Sequence, residues 1–408
     1  MRTFLTIALI CFSFFTYESF WTYFFGTYSP IAEYTLAIGV VLMFLVYNGS
    51  IKFRIGRDSY LILWFLFFFL VYCVSLSMFR PVSRVDLFSF VVITQFTLIM
   101  MALSIMQRGV LGERHQLSLP GFSGSGILLS IMATSICLLA YFVNQLGGSA
   151  HSIFNQNWVV IGSFSFLILC MVDYVGKGNR VPRMGFLLPV LSITISAFLL
   201  GSLGGTLAGF VLLVIVIFRI MSGSIMILSV LIPLVSLVLL STVFQFSFSS
   251  INGLIAGFIS APVEIDYSSG RFASWDFVLE KFSQDPMFMI FGGGVDNASN
   301  LYFSNEGVTA SGHNFWIETL FRVGVLGVLI NILPYIIMYY LMSHHRVRSD
   351  YKKAFVVVFV FMITLGVFYD IGGFTHLPGT FFYKGMLVLI FAVSVSEVKK
   401  KFRYYPAK

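Results

Sequence analysis

The chain has 408 residues, of which 58% are hydrophobic and only 10% charged, with a formal net charge of +8. An ordinary soluble domain is about a quarter charged, and no water-soluble core hides this much apolar surface, so the composition excludes a soluble globular protein. The positive balance does not point to nucleic acid as a partner either, because the basic residues sit mostly in short breaks between apolar runs, where they set topology.

Apolar runs recur from end to end, each near the roughly 20 residues needed to cross a hydrocarbon core of about 30 Å as a helix. Lipid offers the backbone no water partner, so helices are the expected form, and the runs are too long and too little alternating for barrel strands. Breaks at Gly, Pro and charge predict spans at 4–24, 31–47, 59–79, 87–106, 126–145, 158–175, 184–201, 205–221, 225–247, 316–343, 354–370 and 379–396. The run after Arg2 lacks a small-x-small cleavage site and reads as the first span rather than a signal peptide. Cys11, Cys73, Cys137 and Cys170 fall inside apolar runs without CxxC pairing and read as small hydrophobes.

With the N-terminus inside, Lys52, Arg54, Arg57, Arg108, Arg114, Lys177, Arg180, Arg183, Arg219, Arg346, Arg348, Lys352 and Lys353 fall in inner loops. Arg2 and the tail residues Lys399, Lys400, Lys401, Arg403 and Lys408 join them, so the positive-inside rule holds at every inner loop. The exceptions are Arg80, Arg84, Arg271, Lys281, Arg322 and Lys384, and these need a separate cause. The expected fold is an all-α polytopic membrane protein with about a dozen transmembrane helices. It divides into nine spans over 1–247, a large outer loop over 248–313, and three spans with a basic tail over 314–408.

From Phe248 to Gly312 no span is convincing, and a loop this long carries a function or is disordered. Phe272, Trp275, Leu279 and Phe282 recur at helical spacing. They predict an amphipathic helix around Ser274 to Lys281, lying on the outer membrane surface or capping a cavity. Ser268 or Ser269 is its candidate cap, and Pro286 closes it.

The segment GHNFWIETLFRVGVLG, Gly312 to Gly327, is the richest in candidate chemistry. His313 stands where the loop becomes a span, as an interfacial hydrogen-bonded residue or as a base taking a proton from an attacking hydroxyl. A helix starting there puts Ile317, Leu320 and Gly324 on one face, with Gly324 and Gly327 allowing close backbone approach. Glu318 and Arg322 lie four apart on roughly the opposite side, spaced for a local ion pair. Arg271, in SSGRFASW, presents a permanently charged fork matched to phosphate oxygens, against the plainer reading of an exposed surface arginine. Gly292, Gly293 and Gly294 form either a flexible turn or a backbone nest for an anion. Arg80 and Arg84, in FRPVSRVD, are a second outward guanidinium pair, with Asp86 as an equally good structural partner. No HExxH, Walker loop, CxxC, GxSxG or DxD is present, which leaves zinc protease, nucleotide hydrolase, serine hydrolase and metal-dependent nucleotide-sugar transferase readings without support.

In this order the residues resemble the O-antigen polymerase and O-antigen ligase superfamily of bacterial inner membranes. The likeness lies in Arg271-x-x-x-Trp275 opening a long periplasmic loop, then Pro286 with Gly292-x-Gly294, then His313-Asn314 before a span with Gly324 and Gly327. It covers about 60 residues directly. One departure is that Ser202, Leu203 and Gly204 stand where many members carry Ser-Arg-Gly, so the resemblance leaves Arg80, Arg84 or Arg322 to partner Arg271.

The resemblance implies a GT-C-like membrane glycosyltransferase in lipopolysaccharide biosynthesis, with its active face periplasmic and both termini cytoplasmic. Donor and acceptor would both be undecaprenyl-diphosphate-linked oligosaccharides, joined without metal or cofactor, with a chain-length regulator protein as a further partner. Arg271 and His313 would be catalytic. Arg271, Arg80, Arg84, Arg322 and Gly293 would hold the diphosphate, and Asn314, Trp275 and Glu318 would position substrate. Polymerase is the expected activity. Transfer to lipid A core by a ligase, or movement of a lipid-linked sugar by a flippase or other secondary transporter, are the alternatives.

Overall fold

The structure, a computed structural model, describes residues 57–79, 183–199, 202–218, 271–294, 314–368 and 383–392, with scattered helical residues between 92 and 103, at 135, between 160 and 168, and at 394–395. Among the described residues every regular element is a helix and none is a strand. In chain order these are α1 (Arg57–Phe79), α2 (Arg183–Leu199), α3 (Leu203–Phe218), α4 (Arg271–Gln284), α5 (Pro286–Phe291), α6 (Phe315–His344) and α7 (Ser349–Phe368). The last is α8 (Tyr383–Ala392).

The spans expected at 59–79, 184–201, 205–221, 316–343 and 354–370 correspond to α1, α2, α3, α6 and α7, and that at 379–396 contains α8. Scattered helical residues fall in those expected at 87–106, 126–145 and 158–175, whereas 4–24, 31–47 and 225–247 lie outside the described residues. α7 starts at Ser349, ahead of its expected start at 354, because its first turn takes in the charged DYKK segment. Asp350 there suits the positive end of the helix dipole.

Two helices, Tyr60–Phe79 within α1 and the whole of α6, are long and apolar enough to cross a membrane. The outward side chains fit that composition: Trp64, Phe67 and Phe68 of α1, Leu188 and Phe198 of α2, and Phe210 of α3 are all exposed. On a soluble protein so much exposed apolar surface would demand a partner; facing acyl chains it costs nothing.

α2 and α3 pack as a hairpin across a turn too short to allow anything but antiparallel neighbours. Small residues let them meet. Gly209 lies under Thr194 so closely that a Cβ would overlap the threonine hydroxyl, and Gly205, one turn earlier, lies against Val160 and Ser202. At the turn, Ser202 is buried and its hydroxyl accepts from the Gly205 amide at 3.3 Å. Ser202 thus serves as a helix cap.

α6 is the axis of the remainder, with α1, α5 and α7 packed along it and α4 touching it. The deepest packing gathers Trp316 and Tyr335 of α6, Phe355, Phe359 and Phe361 of α7, Tyr383 of α8, and Phe164. Phe361 meets Phe164 edge-on at 5.5 Å between ring centres, and the Tyr383 and Ser165 hydroxyls stand 3.2 Å apart. Of the cysteines, Cys73 is free and buried against Val323 and Ile330, a packing residue as its sequence context suggests. The other three lie outside the described residues.

Candidate functional site

The loop from Arg271 to Gly294 folds as two helices separated by one residue. α4 buries Val278, Leu279 and Phe282 and turns Glu280, Ser283 and Gln284 outward, the amphipathic pattern legible in the sequence. Lys281, one of the basic exceptions, sits in the last turn of α4, where the negative helix end favours a cation. Its ammonium also lies 5.5 Å from the centre of the Phe277 ring.

Pro286 ends α4 and also begins α5. Lacking an amide hydrogen, it is tolerated in the first turn of a helix, where that donor would be unused. Asp285 caps α5 by accepting from the amides of Met287 at 2.9 Å and Phe288 at 3.1 Å. An aromatic cluster then seats the pair on α6: Phe277 and Phe288 both meet Phe321, at 6.1 and 5.2 Å, and Phe288 also meets Phe282 at 5.9 Å.

α6 opens at Asn314, whose side-chain oxygen accepts from the amides of Trp316 at 2.8 Å and Ile317 at 3.0 Å. Its side-chain amide donates to the Val367 carbonyl at 2.8 Å, tying the start of α6 to the end of α7. Asn314 is therefore a helix cap and strut, with little hydrogen-bonding capacity left for the substrate-positioning part expected of it.

The most unusual geometry lies nearly three turns further on. Gly324 has φ 66°, ψ −175°, which breaks the helix. Three successive carbonyls before the break accept from outside α6. Phe321 takes the Gly293 amide at 2.7 Å, Arg322 the Gly294 amide at 3.0 Å, and Val323 the Tyr72 hydroxyl of α1 at 2.9 Å. The two backbones cross in contact. A Cβ at Gly292 would overlap the Arg322 carbonyl, and one at Gly324 would overlap the Ile290 carbonyl. Both glycines have positive φ, so only glycine satisfies the space and the conformation together.

The crossing corrects the anion-nest reading. The Gly292 amide donates to the Phe288 carbonyl at 2.7 Å, and those of Gly293 and Gly294 to α6, so no anion receives them; Gly293 holds the helix break rather than a diphosphate. It also joins elements that the sequence separates, since Gly292-x-Gly294 of the loop lies directly on the helix that follows His313-Asn314.

Beside the crossing, Glu318 and Arg322 are buried at 4% and 3% exposure. The spacing suggested an ordinary helical pair, yet a charge held this deep is costly unless the surroundings compensate it, which sets the two apart from surface charge. Trp275 is half-buried against the core. Arg271 begins α4, with its backbone alone described. His313, Arg80 and Arg84 lie outside the described residues. Among the described residues no group of His, Cys, Asp or Glu side chains is arranged to hold a metal ion.

One polar pair went unread in the sequence. Lys384 is buried at 1% exposure, and its ammonium donates to the Asn331 side-chain oxygen at 2.9 Å. Its burial within α8 supplies the separate cause that its place among the exceptions to the topological rule called for. The signal was present, since Lys384 lies inside the apolar run expected to span at 379–396. The Asn331 side-chain nitrogen and the Tyr335 hydroxyl, one turn along α6, are buried with no hydrogen-bond partner among the described residues.

Compared with protein families, curated proteins and solved structures, the chain matches none.

Proposed function

We propose that the chain is a bacterial inner-membrane glycosyltransferase that polymerises undecaprenyl-diphosphate-linked oligosaccharide repeat units, of O-antigen or a related surface polysaccharide, at the periplasmic face. About twelve spans, a periplasmic loop over 248–313 and cytoplasmic termini complete this reading. The observation that carries it is the contact between the Gly292–Gly294 backbone and α6, which brings the loop beside the buried Glu318 and Arg322.

Depth supports the same chemistry. From Gly324 to His344, α6 rises about 30 Å, the thickness of a hydrocarbon core. With the basic His344–Arg348 turn at the inner headgroups, Gly324 falls at the outer edge of the hydrocarbon and Arg322 at the level of lipid phosphates. Guanidinium donors at that level suit a lipid diphosphate leaving group.

In the proposed reaction, Arg271 and a second arginine bind the diphosphate, and Arg322 is the candidate partner among the described residues. His313 takes the proton from the acceptor hydroxyl. The acceptor oxygen then bonds to the anomeric carbon as the bond from that carbon to the diphosphate oxygen breaks. The electron pair leaves with the diphosphate, and the anomeric centre inverts.

Purified protein mixed with lipid-linked repeat units should produce oligomers. Arg271→Ala and His313→Ala in cells should abolish long glycan chains at unchanged protein abundance, and normal chain length in both variants would defeat the assignment. Deleting the gene separates the two glycan-joining activities, because a single capped repeat unit on the surface marks a lost polymerase and bare core a lost ligase.

Lys384 gives a specific reason to keep a second reading, a flippase or transporter for lipid-linked sugars. A cation buried among apolar helices and bonded to Asn331 is the kind of group transporters place within the membrane. Translocation in vesicles without bond formation would favour it.

A further inference from the structure

We propose that α5 is a lipid-facing anchor, with Met287, Ile290 and Phe291 in contact with the acyl chains of the leaflet at the Asn314 end of α6. Its sequence, PMFMIF, contains no polar side chain, yet Met287 is 60%, Ile290 40% and Phe291 39% exposed. Each large apolar side chain left in water forgoes about 25 cal/mol for every Å² it exposes. α4, one residue away, turns Glu280, Ser283 and Gln284 outward instead. The loop thus presents a polar surface on one helix and an apolar surface on the next, as an element at a water–lipid boundary does.

What places α5 at that boundary is the backbone crossing. The carbonyl of Ile290 lies on Gly324, and the amides of Gly293 and Gly294 bond to α6 just before it, so the height of α5 is fixed by the helix. Immediately beyond the break α6 begins its own exposed stripe, Leu326, Leu329 and Leu333, at the i, i+3, i+7 spacing of one helix face. A bilayer covering that stripe as far as the break reaches α5. Irregular backbone at this depth is tolerated because its polar groups are bonded inside the protein, which is the case for Gly292, Gly293 and Gly294. The anchor would set the height of α4 as well, through Phe282, Phe288 and Phe321.

This inference rests on α6 spanning the bilayer but not on the glycan chemistry, and the test separates the two. In proteoliposomes a photoreactive phenylalanine analogue replaces Phe291, Leu329 or Ser283 one at a time, and phospholipid adducts are measured by mass spectrometry. Phe291 and Leu329 should both capture phospholipid, with about tenfold less at Ser283, whose neighbours on α4 face water. Adducts at Leu329 but not at Phe291, or equal capture at Ser283, would overturn the anchor while leaving the span intact. No capture at Leu329 would remove the span and the anchor with it.

The unaltered chain gives a second measurement. Met287, at 60% exposure, should oxidise about tenfold more slowly than a methionine in solution when right-side-out vesicles meet an oxidant confined to water. Oxidation at the free rate would overturn the proposal even if every substituted chain failed to fold.

Discussion

Gly324 and Gly292 carry positive φ values and each sits where the other segment's backbone would meet a side chain. Gly324→Ala or Gly292→Ala should destabilise the protein by about 1–3 kcal/mol from backbone strain alone, with the overlap adding to it. The change should read as a fall in the temperature at which detergent-solubilised protein aggregates. Tyr72→Phe, which removes one donor from the same break, should cost only about 1 kcal/mol. If the glycine variants were as mild as Tyr72→Phe, the crossing would be wrongly drawn. The buried Lys384–Asn331 pair allows a sharper test. Asn331→Leu leaves the ammonium without one acceptor, whereas Lys384→Met removes the charge itself, so the first should destabilise more than the second. The double variant should be no worse than Asn331→Leu, and additive losses in such a cycle would show that the two side chains do not interact. Lys384 was visible in the sequence as a lone cation in an apolar run. Its partner was not, because nothing local in the chain joins it to a residue on another helix.

At the scale of elements, caps decide where helices start. Asp285 and Asn314 each accept from two backbone amides at the start of a helix. Replacing Asp285 with Ala should cost about 1 kcal/mol and act locally, speeding hydrogen exchange at the Met287 and Phe288 amides. Asn314→Ala should cost more, because the link to Val367 goes with the cap, and exchange should quicken at the end of α7 as well as the start of α6. Unchanged exchange near Val367 would show that the strut carries no load. The outline of α4 was legible, since its apolar positions repeat at helical spacing and a proline closes it. α5 was missed because six apolar residues are too few to show a period. Asp-Pro at 285 and 286 was nonetheless a readable start signal. Gly324 was legible as a place of close approach, but the identity of what approaches, the Gly292 turn, depends on how α5 lies on α6. The anion-nest reading failed for that reason: the local sequence could not reveal that carbonyls at a distant helix break would take the amides.

Across the whole molecule, the long apolar runs were the most readable feature, since a run that must bury its backbone in lipid has few alternatives to a helix. What the runs could not show is that α6 is bent at Gly324. With 30 residues its two parts together rise about 45 Å, more than a hydrocarbon core needs. The surplus falls at the Asn314 end, where Glu318 and Arg322 are buried and α4 and α5 gather, while Arg346, Arg348, Lys352 and Lys353 mark the other end. If the charge asymmetry orients the chain, those two ends face opposite compartments. Ser283 on α4 and Ser349 at the start of α7 are both exposed and test this directly. On the proposed inner-membrane location, a membrane-impermeant thiol reagent added to intact cells with a permeable outer membrane should label Ser283→Cys and leave Ser349→Cys unlabelled until the inner membrane is opened. The unsubstituted chain supplies the background from its own cysteines. Equal labelling of the two positions before opening would mean that α6 does not cross, and the reverse order would turn the molecule over, placing Arg271 and His313 on the side where the tail lysines were expected.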